Sequence, residues 1–220
     1  MSRFLIKPLA LACLAFGALQ GAAANTVTDL GMFNGGVAAS FTLTAPNVVA
    51  SGNTNAGGFR SSLDGGATSF ETYCVDLYQF LGTGNDFSIV SGAAHFTAPH
   101  ASADANIGKL YAFHNLVVDA TSEAAFQLAV WEIAFETSGT YSLGSGTAQF
   151  SSSAAAMGLA SGWLASLPAV SSFNVNVLES RTKQDLVFVS APVPEPSTYA
   201  LMAAGLLGVG FVARRRAPKR

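Results

Sequence analysis

Few side chains in this sequence are equipped for covalent chemistry. Cys74 lies in the run Tyr73-Cys74-Val75-Asp76, and Cys13 falls in a basic-then-apolar stretch, residues 1–24, patterned like a cleaved secretory leader. A single remaining cysteine in an oxidising compartment cannot close an internal disulfide. Cys74 is therefore an inert buried thiol, half of an intermolecular disulfide, or a reactive nucleophile. His95, His100 and His114 belong to no G-x-S-x-G elbow and no H-E-x-x-H helix, so a hydrolase has little to build on. His95 and His100 read as solvated loop residues and His114 as a packing histidine, with a base approaching Cys74 as its alternative. Glu132 and Glu136, four apart, repel weakly and read as a solvated helix face rather than an acid pair. Asp64, Asp76 and Asp86, with Asn53 and Asn55, offer oxygen ligands without EF-hand spacing, and neither a metal nor a cofactor is expected.

The surrounding composition narrows the classes. Of 220 residues, 50% are hydrophobic and 11% charged, against about 25% charged in ordinary domains, so charge-driven disorder is excluded. The formal charge of −2 and the lack of a basic stripe argue against nucleic-acid binding. No run of about 20 apolar residues occupies the middle, so the chain is not a polytopic membrane protein. The small net charge conceals an asymmetry. Both ends are basic, whereas residues 25–193 hold 4 basic residues against 12 acidic ones.

Each end reads as an address. Arg3 and Lys7 precede a short apolar run, residues 9–19, and Ala22-Ala23-Ala24 offers the small residues of an A-x-A cleavage site at Ala22 and Ala24. Residues 1–24 thus form a signal peptide for signal peptidase, with the mature chain starting at Asn25. At the other end, Pro194-Glu195-Pro196 stiffens a spacer, fifteen uncharged residues (199–213) follow, and Arg214-Arg215-Arg216 closes the segment. As a helix those fifteen residues reach roughly 22 Å; Tyr199 and the arginines extend that towards a single membrane span, with the cationic cluster cytoplasmic. This tail, residues 191–220, resembles the PEP-CTERM sorting signal of Gram-negative bacteria. The resemblance implies an exported protein held transiently in the inner membrane until an exosortase-type membrane protease cuts near the Pro-Glu-Pro motif. The product then goes to the cell surface or an exopolysaccharide matrix.

Residues 25–190 must supply the working domain, and their pattern is α+β and β-rich. Residues 25–33, 37–43 and 47–50 are short strand candidates, 52–58 and 63–66 read as turns, and 69–81 as a longer strand. Alternation in that strand sets Cys74 and Asp76 on one face. Residues 104–116 have helical periodicity, and Thr121 or Ser122 caps a second helix running to Glu136, with Phe126, Val130, Ile133 and Ala134 on its apolar face and Gln127 and Trp131 one turn apart beside it. A further helix spans 153–167, and late strands span 173–178 and 185–189. The expected architecture is an antiparallel β-sandwich or open barrel with an inserted helical pair, plus a C-terminal single transmembrane helix.

Within this frame, Tyr73-Cys74-Val75-Asp76 in a strand and Gln127-Leu128-Ala129-Val130-Trp131 in a helix resemble the paired motifs of bacterial surface thioester domains. That resemblance implies a Cys74–Gln127 side-chain cross-link, with Tyr73, Asp76 and Trp131 as neighbours, that captures surface amines. Phe126 stands where the motif has threonine, and packing alone also produces such a pattern, with Cys74 a small core hydrophobe and Trp131 a core aromatic. The sequence thus reads as a non-enzymatic exported surface or matrix protein, an adhesin if the thioester forms, with exopolysaccharide or surface amines as partners. The alternative is an exported carbohydrate-binding or hydrolytic protein whose site its composition does not advertise.

Overall fold

A computed structural model describes residues 24–44 and 49–190. The leader, the Pro-Glu-Pro motif, the expected membrane helix and the arginine cluster lie outside the described residues. Among the described residues, no helix is long and apolar enough to cross a membrane.

Among the described residues, nine strands form two antiparallel sheets. The first is a closed barrel of β1 (Asn25–Met32), β4 (Phe59–Leu63), β5 (Ser69–Cys74), β9 (Leu186–Ser190), β8 (Asn174–Glu179) and β6 (Gly84–Ser91), in that order. Closure comes from β6 returning to β1, with Asn25 opposite Phe87 and Val27 opposite Gly84. It corrects the expectation of a sandwich or open barrel; β4 and β6, unread in the sequence, are the strands that complete the ring. Asp64 and Gly65 both take positive φ in the β4–β5 turn, the left-handed geometry that a tight hairpin demands. The second sheet orders β3 (Val49–Ala56), β2 (Val37–Thr44) and β7 (Ala148–Ser151).

β3 overturns the reading of residues 52–58 as a turn. Eight consecutive residues pair with β2, from Val37 opposite Ala56 to Thr44 opposite Val49. That ladder outweighs the poor strand propensity of Gly, Asn and Thr-Asn. Gly52 has a specific use: a Cβ there would meet the Phe41 ring at 3.2 Å. The expected strand over 69–81 in turn stops at Cys74, because the Asp76 carboxylate captures the Tyr78 N–H at 2.7 Å and turns the chain.

The helices are α1 (Gly92–His95), α2 (Ala103–Leu110), α3 (Ala120–Phe135) and α4 (Ala154–Ala165), with a 3₁₀ segment over Tyr111–Leu116 that shortens the helix expected to run on to Leu116. α3 begins two or three residues earlier than a cap at Thr121 or Ser122 would have it. Asp119 is its N-cap, accepting from the Ser122 N–H at 2.8 Å, while the Ser122 hydroxyl accepts from the Asp119 N–H, a reciprocal capping box. The helix packs against β5 of the barrel, the second sheet, α2 and α4. Every residue from Ser122 to Ala134 is consequently buried. Glu132 and Glu136, read as a solvated face, are 0% and 5% exposed. Glu132 accepts from the Ser142 N–H at 2.6 Å, and Glu136 from the backbone of Ser138 and Thr147. A helix enclosed on all sides has no solvated face to give them.

Candidate functional site

Two elements build the centre of the molecule. Successive residues of β5 point to opposite faces, so Tyr73 and Cys74 project in opposite directions. On α3, Glu123, Gln127 and Trp131 recur every four residues and line one stripe. Strand and stripe interlock: the Tyr73 hydroxyl bonds Glu123 Oε2 at 2.9 Å, and the Gln127 amide bonds Cys74 twice. The Cys74 N–H donates to Gln127 Oε1 at 2.9 Å, and Gln127 Nε2 donates to the Cys74 carbonyl at 2.8 Å. Gln127 is 0% exposed and Cys74 1%, so water does not reach the pair.

The thiol itself donates to the Asp76 carbonyl at 2.9 Å. Burial pushes it up to about 12, so it is protonated at neutral pH. The Trp131 indole N–H, directed at the sulfur, opposes that rise. Cys74, Gln127, Asp76, Trp131 and Tyr73, singled out in the sequence, are thus gathered around one strand end. Chemically the arrangement fixes a buried primary amide on the main chain of the cysteine, with its oxygen already accepting the Cys74 N–H.

A second cluster occupies the Tyr73 side. The Tyr73 hydroxyl lies 2.5 Å from Glu71 Oε1, and His114 Nε2 lies 3.0 Å from Glu71 Oε2. Glu123 is held further by Asn34 Nδ2 at 2.7 Å and the Gly58 N–H at 3.2 Å. A Cβ on Gly58 would run into both carboxylates, so glycine there lets the pair close up. One phenolic proton cannot serve two carboxylates, so one of the Tyr73 bonds runs from a protonated carboxyl. The shifts agree. Burial, then the neighbouring Glu71, pushes Glu123 up to about 7. For Glu71, burial is outweighed by the bonds from His114 and Tyr73, which hold it below the ordinary carboxylate value. The sequence pattern singles out neither Glu71 nor Glu123; the one signal for the pair is Glu123 standing four residues before Gln127 in a largely apolar helix.

The histidines are redistributed. His114 packs edge-on to Tyr73, with ring centroids 6.1 Å apart, on the face opposite the thiol, and it is a packing histidine as expected. His95 is tied to Glu179 at 2.7 Å, and His100 has a buried Nδ1, so neither is a solvated loop residue. Among the described residues no group of His, Cys, Asp and Glu is arranged to hold a metal ion. Asp86 instead accepts from Lys183, Ser180 and Thr182, and Asp64 from the Thr26 N–H.

A barrel domain with a buried cysteine–glutamine pair is followed directly by the tail that begins after β9. The family model of the PEP-CTERM protein-sorting motif matches residues 192–216 of that tail. The chain is accordingly an exported protein carrying a C-terminal sorting signal, a substrate of an exosortase, the membrane protease that processes such tails. No curated protein and no solved structure matches the chain.

Proposed function

We propose that the exported domain is a covalent adhesin, in which Cys74 and Gln127 close an internal thioester that a surface amine opens. The observation that carries this reading is the double hydrogen bond fixing the Gln127 amide on Cys74 itself. In the forming step Cys74 Sγ attacks Gln127 Cδ, the S–C bond forms and the C–N bond breaks. The nitrogen leaves as ammonia, taking the thiol proton, so no oxidant or reductant is needed. The Cys74 N–H, already on Oε1, offsets charge developing on that oxygen. Burial of both residues then shields the product from hydrolysis. The bond forms once per molecule, without turnover, so the protein is a reagent and not an enzyme. The acidic body fits that use: it holds few lysines, so few internal amines compete for the bond.

Intact mass tests the proposal. The exported protein is expected about 17 Da lighter than its sequence, and methylamine should add about 31 Da to that form and place the tag on Gln127. Cys74→Ala should carry the full amide mass and no tag. A wild-type protein of full amide mass, with Cys74 titrating as a free thiol once unfolded, would end the thioester reading.

A further inference from the structure

The closed barrel has no open strand edge, so among the described residues the open edges belong to the second sheet, at β3 and β7. The two edges differ. β7 has four residues, and its Phe150 N–H turns away from β2 to the Leu143 carbonyl at 2.6 Å, so the preceding loop covers that side. β3 has eight residues, and no main-chain or side-chain group among the described residues bonds its far side.

The register shows which groups face outward. The Thr44 N–H donates to the Thr147 carbonyl at 2.8 Å, on the β7 side of β2. Main-chain groups alternate between the two sides of an antiparallel strand, so Val37, Ala39, Phe41 and Leu43 turn theirs to β3 and meet Ala56, Thr54, Gly52 and Ala50. Val49, Ser51, Asn53 and Asn55 therefore present their N–H and C=O groups on the free edge, and their side chains are exposed. Such edges are ordinarily blocked by a charge, a proline or a bulge, and β3 has none of these. Nor does any charged residue occur in β2 or β7, although residues 25–193 hold 12 acidic residues against 4 basic ones.

We infer that β3 is a dimerisation edge, which pairs antiparallel with β3 of a second copy about a two-fold axis at Gly52. With the axis there, Ser51 of one copy faces Asn53 of the other, and Val49 faces Asn55. These are the four residues with free groups, so all of them pair, in about eight hydrogen bonds. An axis at Asn53 would instead set Val49 opposite Gly57, beyond the strand. Charge selects a second copy as the partner. Two bodies rich in acid repel over most of their surfaces, and the uncharged sheet lets them approach without like charges meeting. Assembly also stops at two. The joined sheet runs β7-β2-β3-β3-β2-β7 and ends on both sides at a covered β7, which closes the dimer and prevents a fibre.

The proposal does not depend on the thioester. Its test follows the exported protein by sedimentation over about 1–300 μM with a reductant present. A monomer–dimer equilibrium with a Kd of roughly 10–100 μM is expected, because one strand edge is a small interface. Hydrogen exchange read by NMR should show the amides of Val49, Ser51, Asn53 and Asn55 slowing as concentration rises, with those of Gly52 and Thr54 protected throughout. Asn53→Pro removes an N–H that β2 does not use, and should weaken the dimer at least tenfold while the dilute monomer melts as wild type. Asn53→Lys keeps that N–H and sets a charge beside the axis, and should weaken the dimer as much. Thr42→Lys, on the same face of the central strand, and Cys74→Ala should both dimerise as wild type. A protein monomeric at every concentration, a dimer that survives both Asn53 variants or is lost in Thr42→Lys, edge amides protected regardless of concentration, or growth beyond the dimer would each overturn the assignment. None of these outcomes alters the mass that tests the thioester.

Discussion

The proposed thioester gives Gln127 a chemical part that substitutions can separate from its structural one. In the proposal it is the electrophile; as a core residue it satisfies both main-chain groups of Cys74 where β5 ends. In a Cys74→Ala background no cross-link exists, so Gln127→Ala there reports only the structural part. Two buried groups lose their partners, and the double variant is expected to be less stable than Cys74→Ala by about 2–4 kcal/mol in urea denaturation. A loss below about 0.5 kcal/mol would show that the amide is replaceable and its position set by chemistry alone. Glu132 gives a contrasting case. Its Oε1 accepts from Ser142, but Oε2 is buried without a partner, and burial pushes the carboxyl up to about 7. Glu132→Gln keeps the accepting oxygen and removes an ionisation that the fold disfavours. The variant should melt higher than wild type at pH 7.5 and match it at pH 4.5, as read by calorimetry.

At the scale of elements, α3 determines the site, because one four-residue stripe supplies Glu123, Gln127 and Trp131 to β5. Its N-terminus is fixed by the Asp119–Ser122 box. Asp119→Ala should cost about 1 kcal/mol, lowering the melting temperature by about 2–4 °C in a thermal scan, and Asp119→Asn should restore most of it. What the sequence disclosed about these elements follows physical lines. β1, β2, β8, β9 and α4 were legible because apolar and β-branched residues recur at the right period between Gly, Asn and Pro breaks. β3 was not, since Gly52-Asn53-Thr54-Asn55 has the composition of a turn and becomes a strand only by pairing with β2. The polar face assigned to Glu132 and Glu136 failed for a related reason: α3 has neighbours on every side, and a period cannot reveal how many sides a helix buries. Cys74, Gln127 and Trp131 were legible as a motif. Glu71 was not, because its partners Tyr73, His114 and Glu123 come together only once β5, the 3₁₀ segment and α3 meet.

For the whole molecule, buried acids make stability a function of pH with a sign opposite to the usual one. Glu123 and Glu132 are raised to about 7 and Asp185 to about 6, each chiefly by burial. A carboxyl raised on folding binds more protons folded than unfolded, so its contribution is complete below the ordinary value near 4.5 and is lost as pH climbs towards 7. Glu71 and Glu136 are lowered, where bonds outweigh burial, and their contribution is lost as pH falls through the acid range. His100, lowered by burial, works against the first group, because the stability it adds is gained as pH rises towards 6.5. One histidine against three acids leaves the balance with the acids. The melting temperature should therefore peak near about pH 4.5–5 and decline steadily towards pH 7.5. Repulsion within a body holding 12 acidic residues against 4 basic ones steepens that decline, and added salt should relieve only this repulsive part. The measurement is a series of calorimetric scans across pH in low and high salt, with Glu132→Gln as the control expected to flatten the slope. A maximum at or above pH 7 would mean that the three carboxyls ionise in the folded protein as freely as in the unfolded chain.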